Sequence, residues 1–163
     1  MGTRSTIAIE FADGTVEQVY CHWDGYLSNN GKILAEHYSD PFVLQKLIAM
    51  GSISSLGKVI GKKHPFSPAY NETDLVKKAK VQAKLDEAKA AGATTFHTRD
   101  RGEDLCVNKF KDFADYKANH QYEEFEYILR QVSGKAVWFV ADHSDCYVTL
   151  SEAFDEAEEE EVV

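Results

Sequence analysis

The sequence lacks the long apolar runs of a membrane protein, since no stretch approaches the roughly 20 consecutive apolar residues that a spanning helix needs. Residues 1–10 also lack the apolar core of a secretory signal peptide. The three cysteines, Cys21, Cys106 and Cys146, are too few and too widely spaced for a disulfide framework or the usual paired zinc ligands. We therefore expect free thiols, no metal, no cofactor and a location in the cytoplasm.

The common catalytic and nucleotide-binding signatures are missing as well. The sequence contains no glycine-lysine phosphate loop, no dinucleotide glycine fingerprint and no Gly-x-Ser-x-Gly nucleophile elbow. Any enzymatic activity would have to depend on a less familiar arrangement of residues.

Charge is present but unevenly distributed. The net charge is −9. Residues 58–89 hold eight lysines against four acids, whereas residues 112–163 hold fourteen acids against three basic residues. Such asymmetry bears on partners and solubility more than on the fold.

The pattern of apolar residues predicts an α+β fold with a mainly antiparallel sheet and helices packed on it. Residues 3–23 alternate around Asp13-Gly14, which predicts an opening hairpin. Two short helices, one of them starting at Asp40-Pro41, should follow. Residues 93–98, 123–131 and 136–141 then return to strands, and we expect the hairpin and residues 123–141 to share one antiparallel sheet.

The domain organisation follows from these elements. We expect one domain over residues 1–154, with residues 58–92 as a possible inserted loop and lysine-rich helix ending at Gly92. Residues 155–163 are expected to be a frayed acidic C-terminal tail.

The first candidate site lies at the end of the second strand, in the run His22-Trp23-Asp24-Gly25-Tyr26. His22 and Asp24 would share one face of a strand and could form a base and its orienting carboxylate, with Trp23 and Tyr26 as aromatic binding walls. The alternative is a simple strand end, with Trp23 and Tyr26 in the core and a turn at Asp24-Gly25.

The second candidate site is the charged run of residues 97–104, which follows a predicted strand. His97 is a further catalytic candidate, and the two arginine forks could bind phosphate or carboxylate. The alternative is a loop whose charges pair with one another. The candidate binding residues here are Arg99, Asp100, Arg101 and Glu103.

Both runs follow strands and carry charges that are costly to bury unpaired. We therefore expect them to lie near each other, with Asp24 paired to Arg99 or Arg101. This pairing would leave His22 close to a positive group, where the ring would resist protonation.

The sequence resembles a group of small bacteriophage and prophage proteins in four segments. These are the opening Thr3-Arg4-Ser5-Thr6-Ile7-Ala8, the run from His22 to Tyr26, the later His97-Thr98-Arg99-Asp100-Arg101-Gly102-Glu103 and the Val137-Trp138-Phe139 strand. The resemblance implies an accessory phage protein made in the infected cell, and it carries no catalytic role with it. Residues 58–89 are less typical of the group.

Taken together, the sequence predicts a phage accessory protein that binds a host or phage macromolecule, with a host protein favoured. Its acidic surface could inhibit a host defence protein or occupy the groove of a nucleic-acid-binding protein by imitating nucleic-acid charge. Direct binding of nucleic acid through the lysines is less favoured, and no membrane is implied. The alternative is a small enzyme or a nucleotide- or anion-binding domain that uses His22, Asp24, His97, Arg99 and Arg101.

Overall fold

A computed structural model describes residues 2–120 and 122–162, which form an eight-stranded sheet and six α-helices. The strands are β1 (Ser5–Glu10), β2 (Val16–Cys21), β3 (Ile53–Ser55), β4 (Thr95–Phe96), β5 (Asn108–Phe110), β6 (Phe125–Val132), β7 (Lys135–Asp142) and β8 (Val148–Thr149). The helices are α1 (Lys32–His37), α2 (Pro41–Ala49), α3 (Leu75–Ala91), α4 (His97–Arg101), α5 (Phe113–Asn119) and α6 (Leu150–Val162), and a π-helical turn over Leu27–Gly31 precedes α1.

The α+β class and a sheet that contains both predicted hairpins are confirmed. The strand order is β4-β3-β2-β1-β6-β7-β8, and β5 pairs with the outer edge of β2. Most neighbours run antiparallel, but β1 runs parallel to β6 and β2 parallel to β3. The expectation of an antiparallel junction between the hairpins was therefore wrong. The long crossover through the helices brings the chain back so that β6 runs in the same direction as β1.

Local sequence signals set most of the turns. Gly14 takes a left-handed φ of 91° in the first hairpin. Ser133 and Gly134 both have positive φ between β6 and β7, as a type I′ turn requires. The Asp40 carboxylate accepts a hydrogen bond from the Phe42 amide and caps α2, as predicted. These turns fix the strand register that positions the site.

The sheet is covered on both faces, but the two coverings differ. Helices α1, α2 and α6 pack the larger hydrophobic core on one face, in which Ile7, Leu47 and Tyr127 are fully buried. Helix α5 covers part of the other face with Tyr116. There His120 Nδ1 lies 2.7 Å from Glu126 Oε1, and both side chains are at most 1% exposed.

Three features differ from the sequence-based expectations. Strand β3 forms between α2 and the predicted insertion, where no strand was expected. The strand expected over residues 93–98 is reduced to β4, because His97–Arg101 folds into α4. Residues 155–162 continue α6 as a helix instead of fraying.

The predicted insertion, residues 58–92, has its ends side by side, since Val59 pairs with Ala93. Helix α3 forms its second half. Asp74 caps the helix by accepting hydrogen bonds from two backbone amides, and Gly92 ends it with a φ of 73°. This geometry lets the loop and helix project from the β4 edge without disturbing the sheet.

Candidate binding cleft

Strand β3 lies between the two candidate segments and brings them together. Ile53 pairs with Cys21 on one side and with Phe96 on the other. The His22 amide donates to the Ile53 carbonyl at 3.0 Å, and the His97 amide donates to the Ser52 carbonyl at 3.1 Å. The two histidines therefore sit at neighbouring positions at one end of the sheet, as expected.

The first segment is built differently from the predicted histidine–carboxylate pair. His22 Nδ1 lies 2.7 Å from the Tyr20 hydroxyl, so Tyr20 and not Asp24 orients the ring. Asp24 has a left-handed φ of 55°, which turns its side chain out of the strand pattern on which the prediction depended. Among the described contacts, the Asp24 carboxylate makes no hydrogen bond, and only its backbone carbonyl accepts one, from Asn29.

The turn at Gly25 explains why the chain leaves the sheet here. The Gly25 amide donates to the Thr3 carbonyl at 2.8 Å, and a Cβ at this position would lie 2.7 Å from the Ser5 Cβ. The two flanking aromatics consequently remain at the surface. Trp23 is 43% exposed and Tyr26 is 41% exposed, so the alternative that placed both in the core was wrong.

In the second segment, Arg99 and Asp100 are fully engaged in holding the chain together. The five N–H donors of Arg99 all have acceptors: both oxygens of Asp100 and the carbonyls of Ile60, Gly61 and Thr94. The Asp100 carboxylate has no exposed surface and also accepts from the amides of His64 and Phe96. These contacts clamp the start of the insertion to β4.

The electrostatics of Asp100 agree with this structural role. Burial disfavours its ionised form, but hydrogen bonds from Arg99, the Phe96 amide and the His64 amide outweigh burial and lower the pKa of the carboxyl. Arg99 therefore has no donor left for a phosphate or carboxylate ligand. Of the two arginines considered for the alternative anion site, only Arg101 remains a candidate.

Three of the remaining ionisable side chains, His97, Arg101 and Glu103, lie together. Arg101 Nε lies 3.6 Å from Glu103 Oε2, and its guanidinium stacks 5.0 Å from the centre of the Phe66 ring. His97 Nδ1 lies 3.8 Å from the same carboxylate. The expected ion pair between Asp24 and Arg99 or Arg101 was wrong, since neither arginine contacts Asp24 among the described residues.

His97 has the depressed basicity that the sequence led us to expect for His22. Burial lowers the pKa of His97 most, Glu103 opposes this, and repulsion from Arg101 and His22 lowers it further. The repulsion from His22 follows from the short distance between the two segments. His97 is accordingly neutral near pH 7.

Trp23 forms one wall of a cleft of about 300 Å³ at this end of the sheet. The loop that follows the Arg99–Asp100 contacts contributes Phe66 to the lining, and α3 contributes Leu85 and Lys89. Hydroxyl-bearing residues also line the cleft, namely Ser54, Ser55 and Thr95. The cleft therefore combines two aromatic rings, several hydroxyls and one cation, which is a lining suited to binding.

The rings that form the walls are held in place by their neighbours. The His22 ring meets the Trp23 ring edge-on at 4.7 Å, and the backbone at Gly2 lies directly against the indole. His64, whose ring atoms contact the Lys62 carbonyl and the Thr95 hydroxyl, fixes the loop before Phe66. The cleft is thus preorganised in the structure.

Sequence reasoning found Trp23 but missed Phe66, Ser54, Thr95 and Lys89. The available signal was the length of the segment over residues 51–71, which is typical of a functional loop. No local pattern could show that this loop returns to the end of β2.

Comparison of the chain with family models, curated proteins and solved structures gives no match. Within the described residues, no group of three or more histidine, cysteine or acidic side chains is arranged to hold a metal ion. None of the helices described is long and apolar enough to cross a membrane.

Proposed function

We propose that the protein acts by binding, and that a segment of a partner protein inserts into the cleft beside Trp23. The observation that carries the proposal is Trp23 itself, a large side chain left 43% exposed as the wall of a preorganised cleft. Partly exposed tryptophans held in such pockets supply much of the energy of protein recognition.

The state of the charged residues favours binding over catalysis. Arg99 and Asp100 are satisfied within the chain, and Arg101 and His97 both lie beside Glu103. None of residues 97–104 lines the cleft. What the cleft offers a ligand is aromatic surface, hydroxyl groups and the ammonium of Lys89.

The resemblance of the two motif segments to bacteriophage and prophage proteins supports a role in an infected bacterial cell, with a host protein as the partner. In this role the protein would be an accessory factor that redirects a host component. The acidic charge of the chain would steer it toward partners with basic surfaces.

The test compares capture by the wild-type protein with capture by Trp23→Ala from bacterial lysate. Phe42→Ala is the matched control, since Phe42 is an aromatic residue that is 77% exposed on α2, outside the cleft. A true partner is retained by the wild type and by the control but lost from Trp23→Ala. With the purified partner, Trp23→Ala should raise the dissociation constant by about 30-fold, the effect of losing a hot-spot residue.

The proposal is overturned if Trp23→Ala, folded as judged by circular dichroism, captures the same proteins with the same affinity as the wild type. Native mass spectrometry of the purified protein adds a second readout. If a small molecule is bound by the wild type but not by Trp23→Ala, the occupant of the cleft is a low-molecular-weight ligand and not a segment of a partner protein.

A further inference from the structure

Helix α3 is almost unsupported by the rest of the molecule. Of its 17 residues, Leu85 is the buried one. Leu75 and Val76, at its start, are 79% and 64% exposed. Because isolated helices of this length are marginal in water, helices in proteins owe most of their stability to packing. The first half of α3 therefore offers a surface that a partner would stabilise.

The charges on this half are unfavourable for the helix itself. Between Leu75 and Lys84 the sequence holds four lysines and no acid, namely Lys77, Lys78, Lys80 and Lys84. Among the described residues none of the four forms an ion pair. Lys77 and Lys78 lie in the first turn, where positive charge opposes the macrodipole and counteracts the Asp74 cap, so an external negative partner is favoured.

Helix α6 carries the opposite charge, and that charge is also unfavourable for the C-terminal end of the helix. Its 13 residues include seven acids and no base: Glu152, Asp155, Glu156, Glu158, Glu159, Glu160 and Glu161. Four of the acids occupy the last five positions, and negative charge near a helix C-terminus again opposes the macrodipole. Leu150 and Ala153 anchor the start of the helix against the sheet, and Glu158 and Glu159 are exposed.

The two helices do not pair with each other within one chain. Helix α3 leads into β4 at one end of the strand order, whereas α6 follows β8 at the other end. Among the described residues, no ion pair joins α3 to α6.

We propose that the first half of α3 docks, antiparallel, on the acidic half of α6 of a second copy of this chain. The antiparallel arrangement sets the N-terminus of one helix beside the C-terminus of the other. It offsets both macrodipoles, pairs lysines with glutamates and covers Leu75 and Val76. Since the two surfaces differ, the contact is head-to-tail and leads to rings or short filaments instead of a closed two-fold dimer.

The proposal is independent of the function proposed for the cleft. Only the second half of α3, through Leu85, Ala88 and Lys89, lines the cleft beside Trp23. Loss of self-association therefore need not change partner capture, and the reverse also holds.

The first measurement is the mass of the purified wild-type protein by sedimentation or light scattering over a range of concentrations. At an ionic strength of about 0.01 M, where charges act over roughly 30 Å, the mass should rise with concentration above that of one chain. At about 1 M, where the range falls to roughly 3 Å, the protein should be monomeric. A monomer under both conditions overturns the proposal.

The second measurement exchanges the charges. The variant K77E/K78E and the variant E158K/E159K should each be monomeric at low ionic strength, with association weakened by at least about tenfold. Mixed together they should associate again, because each now presents the surface that the other lacks. The matched control is K32E/K46E, which reverses two exposed lysines on α1 and α2 and should associate like the wild type.

Two outcomes contradict the proposal. The first is a failure of mixing to restore association although each variant is folded, which would show that the contact lies elsewhere. The second is a wild type that stays monomeric but binds a short DNA duplex, with K77E/K78E abolishing that binding. In that case the basic half of α3 is a phosphate-binding surface and not a docking site for α6.

Discussion

The two segments that flank β3 look alike in sequence, since each starts with a histidine and mixes acids with aromatic or basic residues. In the folded chain they differ sharply. The Asp100 carboxylate has no exposed surface and four donors, whereas the Asp24 carboxylate accepts no hydrogen bond among the described contacts. Trp23 remains exposed beside it. Residue type alone therefore does not distinguish a structural clamp from a candidate binding surface. The number of hydrogen bonds that each polar group makes within the chain does.

The largest expected effect is on the clamp. Asp100→Ala would leave the largely buried guanidinium of Arg99 without its carboxylate partner. It should lower the free energy of unfolding by about 3–5 kcal/mol. Urea denaturation followed by circular dichroism measures this. Glu103→Ala is the matched control, because the Glu103 side chain is 46% exposed, and its loss should cost at most about 1 kcal/mol. Equal losses in the two variants would contradict the clamp.

The same carboxylate should make stability depend on pH in an acidic window. Because hydrogen bonds lower the pKa of Asp100 below its ordinary value of 3.8, its contribution is complete above that pH. The contribution is lost as the pH falls from 3.8 through the folded-state pKa. The difference in unfolding free energy between wild type and Asp100→Asn should therefore shrink below pH 3.8. A constant difference would show that Asp100 keeps an ordinary pKa.

A smaller effect is expected from changing the arginines. Arg99→Lys keeps the charge but cannot reproduce five directed donors, so it should cost about 1–3 kcal/mol. Arg101→Lys, whose side chain is 53% exposed, should cost less than about 1 kcal/mol. The comparison is sharpened by measuring both variants in one denaturation series. If Arg101→Lys proved the more costly change, the roles assigned to the two arginines would be reversed.

The sequence predicted those parts of the fold that depend on neighbouring residues. Asp13-Gly14, Asp40-Pro41 and Gly92 each act within a few residues, and each ends or begins an element where expected. Strand β3 was missed because three residues show no period, and its pairing with Cys21 and Phe96 is visible only in the fold.

The candidate site was predictable to the same degree. Proximity of the two segments followed from their positions after strands. The partners of Arg99 could not be predicted, because the carbonyls of Ile60 and Gly61 carry no side-chain signature. The hydrogen bond between His22 and Tyr20 was missed because His22 was paired with Asp24, on the assumption that the strand alternation continues to Asp24. The left-handed backbone at Asp24 breaks that alternation.

The smallest and most specific effect concerns His97, because its pKa reports on both segments at once. The pKa should lie below the ordinary value of 6.5, and NMR titration of the ring protons measures it. Removing repulsion in His22→Gln should raise this pKa toward 6.5, and Arg101→Gln should do the same. Glu103→Gln removes an attraction and should lower the pKa further. Since the folded-state value is depressed, His97 adds stability above pH 6.5 that is lost as the pH falls through the folded-state pKa. Opposite shifts in His22→Gln and Glu103→Gln would establish that the two segments share one electrostatic environment, whereas no response to His22→Gln would place His22 too far away to matter.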